Sequence, residues 1–347
     1  MNDKICLKSL HPNELALLLG ELGQPTYRAK QVFKWLSLGV ESFNEMTDLP
    51  KALREALAER CFLSKPSILI KKSSQKDDTI KYLFELADGN CVETVLMRYE
   101  HGTSICLSTQ AGCKMGCVFC ASFEKDRTRN LTPAEILDQI LFAQKDSGRR
   151  VSNIVLMGTG EPLDNYDNVM TFLRLVTHPD GLNIGMRHIS LSTCGLVPRI
   201  NELAKLKLQL TLSVSLHAPT DAVRDSLMPI NKVYPVAKLM EACRNYFEAT
   251  RRRISFEYAM IDGVNDTKHC ADELIRLLAG TPCHVNLIPL NHVEGSPLKP
   301  SSRENIKRFQ AALTARGINT TVRRSLGSDI DASCGQLRRS LAKEQGE

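Results

Sequence analysis

Over the first sixty positions apolar residues recur at helical spacing; beyond them the chain changes to strand-like runs separated by amphipathic segments. Helices are predicted over 12–22, 27–38 and 50–60. In the second, Ala29, Val32, Phe33 and Leu36 fall at i, i+3, i+4 and i+7 and form one apolar stripe. Arg28, Lys30 and Lys34 lie off it, on a face that either meets solvent or meets phosphates. Two β-rich runs at 79–86 and 91–98 flank Asp88-Gly89, a turn signal, and predict a β-hairpin.

Six strand-like runs follow, at 104–108, 151–157, 188–193, 208–217, 254–261 and 284–290, with helical segments between them. Thr132-Pro133-Ala134-Glu135 is a capping box with proline at the first helical position, opening a run through Ile136, Ile140 and Leu141. Ile154, Val155, Leu156 and Met157 are apolar throughout, as expected of a strand covered on both faces. The fold class expected is α/β: a parallel sheet curved into a partial (β/α)6-type barrel, with a small N-terminal helical domain, a β-hairpin and a C-terminal tail. The boundaries expected are 1–62, 63–98, 99–329 and 330–347. Chemistry in such folds sits at the C-terminal ends of the strands.

Composition narrows the class. With 347 residues, 43% hydrophobic and 24% charged, the chain is neither disordered nor collagenous and is long enough for an enzyme core. No run of about 18 apolar residues occurs and residues 1–10 hold no apolar signal segment, so a cytoplasmic location off the membrane is expected. In that reducing compartment the 12 cysteines are core fillers, metal ligands or reactive thiols rather than a disulfide framework. Lys and Arg number 45 against 39 Asp and Glu; the net charge of +6 permits a nucleic-acid partner, although solubility alone accounts for it.

Cys113, Cys117 and Cys120 form a C-x-x-x-C-x-x-C run on a glycine-containing loop just after the first barrel strand. A structural zinc site normally takes four protein ligands, and no second Cys/His pair follows at a fitting distance. Three thiolates on an iron–sulfur cube instead leave one iron open to a small molecule. This spacing resembles the radical S-adenosylmethionine (SAM) enzymes. The next strand ends in Gly158-Thr159-Gly160-Glu161-Pro162, too short for a dinucleotide fingerprint because Leu163 stands where its last glycine would be. Its glycines would let backbone approach a ligand and Glu161 would accept from an ammonium group; an ordinary glycine-rich turn is the alternative. Ser192-Thr193, Ser215-Leu216-His217 and Asn291 fall at later strand ends. Singly each is as readily a local hydrogen bonder; together they form a polar ring facing the cysteines. By composition alone Cys106 is a core filler and Cys334 a tail thiol.

The cluster loop, Gly160-Glu161-Pro162, Ser215-Leu216-His217-Ala218, Met228-Pro229-Ile230-Asn231, Val285-Asn286-Leu287-Ile288-Pro289 and the stretch from Asp329 to Leu337 together resemble the RlmN/Cfr family of radical SAM RNA methyltransferases. The likeness runs nearly end to end and includes Tyr27-Arg28-Ala29-Lys30-Gln31-Val32 in the helical segment. Asp126-Arg127 and the residues flanking Asn291, Leu290 and His292, depart from the family pattern. The resemblance implies a [4Fe-4S] cluster on Cys113, Cys117 and Cys120, and SAM held by Gly160, Glu161, Ser192, Ser215, Leu216, His217 and Asn291. It further implies that Cys334 carries the methyl group, that Cys106 is the resolving thiol and that Glu93 accepts a proton, with Cys106 as the alternative acceptor; a carboxylate on the outer face of a hairpin strand is the ordinary reading of Glu93.

An adenine C–H carbon is not a nucleophile, so a radical route is required. The implied route methylates Cys334 from one SAM, uses a second to abstract hydrogen from that methyl, adds the resulting radical to adenine and releases the product through a Cys106–Cys334 disulfide. The target base must leave its stack, and basic residues should ring the barrel mouth: Arg127, Arg129, Arg323, Arg324, Arg338 and Arg339. Arg251-Arg252-Arg253 precedes a strand and belongs at the opposite end. The expected partners are 23S rRNA, with tRNA as a second substrate, and an electron donor such as flavodoxin; a monomer is the default. The leading expectation is C2 methylation of adenosine. C8 methylation, a zinc-stabilised RNA-binding protein without catalysis and an activase acting on a protein glycine are the rivals.

Overall fold

The computed structural model describes residues 4–123, 129–291, 297–324, 326–327 and 329–330. Strand β1 (Ile5–Cys6) precedes helix α1 (Pro12–Glu21), which opens on a capping box: Glu14 Oε2 accepts from the His11 amide at 2.7 Å. Helix α2 (Tyr27–Ser37) buries the expected stripe of Ala29, Val32, Phe33 and Leu36. Helix α3 (Lys51–Arg60) leads into β2 (Cys61–Phe62), which pairs in parallel with β1 and closes the helical segment on itself. This segment does not stand apart. Its apolar core takes in Leu175 from a barrel helix, and Lys8 Nζ is buried 2.7 Å from Asp138 Oδ1 and 2.6 Å from the Ser64 carbonyl. Burial nevertheless pushes the Asp138 carboxyl up to about 6, against the opposing pull of Lys8.

Strands β3 (Ser67–Ser73), β4 (Ile80–Glu85), β5 (Cys91–Tyr99) and β6 (Gly102–Cys106) form an antiparallel run. The β4–β5 turn is the expected one, closed by the Leu86 amide on the Asn90 carbonyl. Two-residue strands β7 (Gln110–Ala111) and β8 (Arg129–Asn130) pair beside the loop that follows β6. Helix α4 (Pro133–Ser147) starts at the Thr132 capping box, and Gly148 ends it in the left-handed conformation.

From there the chain alternates regularly: β9 (Val151–Leu156), α5 (Tyr166–Val176), β10 (Ile189–Thr193), α6 (Val197–Lys205), β11 (Thr211–Ser215), α7 (Asp221–Leu227) and α8 (Val236–Thr250). It continues with β12 (Ile254–Met260), α9 (Lys268–Leu278), β13 (Cys283–Pro289), α10 (Arg303–Ala315) and β14 (Asn319–Val322). One ten-stranded sheet results, in the order β14-β13-β12-β11-β10-β9-β6-β5-β4-β3. Every pair from β6 to β14 is parallel, which adds one strand to the six expected. Strand β14 is a short, polar, half-exposed edge, so no hydrophobic periodicity marks it; β3, at the other edge, is exposed over most of its length. The edges do not pair with each other, so the barrel is partial, as expected. Ile136 and Ile140 of α4 join Ile154, Leu191, Leu212, Phe256 and Leu287 of successive strands in one apolar core. Among the described residues no helix is long and apolar enough to cross a membrane.

Candidate active site

The C-terminal ends of the parallel strands surround a cavity of about 270 Å³. Cys113, Cys117 and Cys120 line it from the loop after β7, with Gly160 and Glu161 after β9, Ser192 on β10, Ser215 and His217 at the end of β11, and Asn291 after β13. Nine of the expected positions therefore meet at one place, although they span 179 residues of chain from Cys113 to Asn291.

The cysteine loop folds back on α7: the Val118 amide donates to the Leu227 carbonyl at 3.0 Å, and Met115, Cys117 and Phe119 pack on Leu227, Met228 and Ala218. Burial pushes the Cys113 thiol up to about 11 and Cys117 further still, with Cys120 beside both adding to the effect. Coordination reverses that balance, because a bound iron deprotonates its thiol ligands outright. Among the described residues no three Cys, His, Asp or Glu side chains converge on a single point as a lone metal ion requires. A cube asks for something else, one thiolate at each of three separate corners, and three thiols on one cavity wall fit it.

The glycines after β9 have a packing reason beside the one expected. A Cβ on Gly158 would stand 2.6 Å from the backbone carbon and oxygen of Leu107, and one on Gly160, where φ is +107°, would meet Gln110 Cβ at 2.6 Å. They let the β9 loop cross the β6 loop, not only a ligand. Gln110 Oε1 accepts from the Glu161 amide at 2.9 Å and completes the crossing. Glu161 lines the cavity but is already engaged: Oε1 accepts from Leu163 N at 3.0 Å and Oε2 from Cys194 N at 2.7 Å, while burial holds its carboxyl above the usual range. Both oxygens keep lone pairs for a cationic ligand.

His217 adopts a left-handed φ of 55°, and its Nδ1 accepts from the Ala259 amide at 2.9 Å, which puts the proton on Nε2. Burial first, then Arg224, brings its pKa down to about 3, so the ring is neutral across physiological pH. Phe119 packs on it edge to face at 4.7 Å. Leu216 differs from its neighbours: its side chain is in the apolar core, and its carbonyl accepts from Arg224.

Cys106 ends β6, buried with Val95 and Met97 on one sheet face. Leu326, just before the tail, packs on the same group, as does Met157, which also lines the cavity. The segment leading to the tail is held there: Asp329 accepts from Ser74 Oγ at 2.8 Å and Gln75 N at 2.9 Å, and Asp77 accepts from Gly327 N at 2.8 Å. Cys334 lies outside the described residues. Glu93 is buried, not on an outer face, with its carboxylate 3.0 Å from Lys81 Nζ. By register it shares the face of Val95.

Of the basic residues, Arg323 lines the cavity and Arg324 is exposed next to it. The Arg129 guanidinium is held by Asp88 and Glu135. Arg127, Arg338 and Arg339 lie outside the described residues. Arg251, Arg252 and Arg253 precede β12, at the end opposite the cavity, as expected. Sequence reasoning missed Glu257, a buried carboxylate on the cavity wall that accepts from Asn286 Nδ2 at 2.7 Å. A lone charge inside the apolar run of β12 was its signal.

The radical SAM superfamily model matches residues 107–278, and the model of the ribosomal RNA large subunit methyltransferase N-terminal domain matches residues 5–63. A relative from Pelotomaculum thermopropionicum, named "Probable dual-specificity RNA methyltransferase RlmN", is 55% identical over 344 residues, covering 99% of this chain and 94% of its own. One of the same name from Clostridium tetani is 50% identical, covering 100% and 99%. The crystal structure of a radical SAM methyltransferase from Sphaerobacter thermophilus superposes with a TM-score of 0.91 at 46% identity, covering 96% of this chain and 98% of that one. A radical SAM enzyme of this kind works with a [4Fe-4S] cluster and SAM. With relatives matching across nearly its whole length, a superfamily match over the barrel and three thiols on the cavity wall, the chain belongs to the RlmN family of radical SAM RNA methyltransferases.

Proposed function

We propose that the chain transfers a methyl group from SAM, by way of Cys334, to C2 of an adenosine in 23S rRNA, with tRNA as a second substrate and two SAM consumed per turnover. The observation that carries this reading is the meeting of the three thiols with the polar ends of β9, β10, β11 and β13 on one cavity wall. When bound, the cluster and SAM supply one-electron cleavage of the sulfonium and with it a hydrogen-abstracting radical.

The residues of the chain do the rest. Cys113, Cys117 and Cys120 would hold the [4Fe-4S] cluster. Gly160 and Glu161 receive the ammonium end of SAM; Ser192, Ser215, His217 and Asn291 surround the remainder, while Leu216, whose amide and carbonyl are held by Glu257 and Arg224, lies behind them. The Nε2–H of His217 offers a donor without adding charge beside the sulfonium. Cys334 takes and carries the methyl group, and Cys106, on the face that receives Leu326, attacks Cys334 to free the methylated base. Glu93 accepts the ring proton, its carboxylate fixed by Lys81. Residues 1–62 act as an RNA-holding accessory unit, 63–98 as the hairpin linker, 99–329 as the catalytic barrel and 330–347 as the carrier tail. The enzyme works in the cytoplasm as a monomer and draws electrons from a flavodoxin-like donor.

Mass spectrometry of nucleosides from rRNA and tRNA of cells with and without the gene tests the product. The deletion should lose 2-methyladenosine; loss of 8-methyladenosine instead would replace the C2 assignment with C8. Cys334→Ala should abolish product while the cluster remains, whereas full activity in that variant would remove Cys334 from the route.

A further inference from the structure

Helix α7 buries a cation that nothing in the residue assignments above explains. The Arg224 side chain is fully buried. Its guanidinium donates through Nε to the Leu216 carbonyl at 3.0 Å, through Nη1 to Asn231 Oδ1 at 2.9 Å, and through Nη2 to the carbonyls of Cys194 at 2.7 Å and Ser215 at 3.1 Å. All four acceptors are neutral. The nearest carboxylates stand one step away: Asp221 and Asp225 accept from Asn231 Nδ2 at 3.0 and 2.7 Å. An interior charge without a direct counter-ion is costly, so its retention calls for an anion elsewhere.

The cysteine loop supplies the place for one. It lies against α7 through the Val118–Leu227 bond, and Cys117 packs with Cys194, Leu227 and Met228 around the same end of the helix. We propose that Arg224 is a positioning residue for the cofactor cavity. Its fork fixes the ends of β10 and β11 and the 228–231 turn, and its charge, behind the cysteine loop, offsets the negative charge of the thiolate-held cluster and raises the cluster's reduction potential. This inference rests on the reading that Cys113, Cys117 and Cys120 hold the cluster.

The test uses the full-length protein, reconstituted anaerobically, as Arg224→Lys and Arg224→Gln. Iron content, the midpoint potential from a redox titration followed by electron paramagnetic resonance, and the SAM Kd are measured for each. Arg224→Gln loses charge and fork: its reduction constant should fall about tenfold, a potential about 59 mV more negative for a one-electron couple. Arg224→Lys keeps the charge but cannot span four acceptors: its potential should stay near the parent value while its SAM Kd rises about fivefold or more. An unmoved potential in the loaded fraction of Arg224→Gln, or parental SAM affinity in Arg224→Lys, overturns the proposal. Should Arg224→Gln fail to load, Arg224→Lys decides by the same criterion: weaker SAM binding with an unmoved potential carries the proposal, and any other result overturns it. Cys117→Ser distinguishes the underlying reading, because full iron retention there would overturn the cluster assignment itself, whatever residue 224 does.

Discussion

Replacing Gly158 by alanine separates a packing role for the Gly158-Thr159-Gly160 turn from a purely ligand-facing one. The added Cβ would lie 2.6 Å from both the carbon and the oxygen of the Leu107 carbonyl and 2.7 Å from Ser108 N. These are backbone atoms of the adjoining loop and cannot rotate away. Forcing the loops apart costs about 1–3 kcal/mol as overpacking. Loss of the Gly158 N to Leu107 O bond, 3.0 Å long, adds about 1 kcal/mol. A total of about 2–4 kcal/mol, set against an unfolding entropy of about 0.7 kcal/mol/K for a chain of this size, lowers Tm by about 3–6 °C. The measurement is thermal unfolding by circular dichroism of protein stripped of cluster and SAM, so that no ligand contact contributes. Gly20→Ala is the control: nothing lies within 4 Å of its Cβ, it sits inside α1, and it should gain about 0.5–1 kcal/mol. A Gly158→Ala protein that melts within about 1 °C of its parent would refute the packing argument and return the glycine to a ligand role.

Acid should unfold the protein partly through His217. Its folded pKa of about 3 lies below the unfolded value of 6.5, so the unfolded state binds more protons between them and stability falls as pH drops through that window. The loss by about pH 4 is about 3 kcal/mol, and His217→Gln should flatten that part of a pH series of urea midpoints. Lys8→Met strands the Asp138 carboxylate in the interior and should cost about 3–5 kcal/mol, read as a lower urea midpoint. Arg129→Ala should leave RNA affinity within about twofold, because its guanidinium is already held by Asp88 and Glu135. Arg323→Ala should weaken RNA binding severalfold and reduce the salt slope of log K by about one, in filter-binding titrations over a range of salt.

Features with a local cause could be read from the residues alone. The α2 stripe, the Thr132 capping box, the Asp88-Gly89 turn and the spacing of Cys113, Cys117 and Cys120 each depend on neighbours within a few positions. Strand β14 was hidden because Asn319, Thr320 and Thr321, with Val322 alone apolar, become a strand only when β13 offers its edge. The pairing of Arg129 with Asp88 was hidden for a similar reason: the two are 41 residues apart, Asp88 in the hairpin turn.

What the sequence determined by itself was the alternation that makes a parallel sheet, the three-thiol loop at its first strand, and the polar residues at later strand ends. Tertiary structure alone decided that Glu161 spends its oxygens on the backbone of Leu163 and Cys194, that Glu93 is buried against Lys81, and that Arg224 is buried between four neutral acceptors. Pattern and capping act over one or two turns of chain, whereas the partner of a buried charge is chosen by which strand ends the folded sheet brings together.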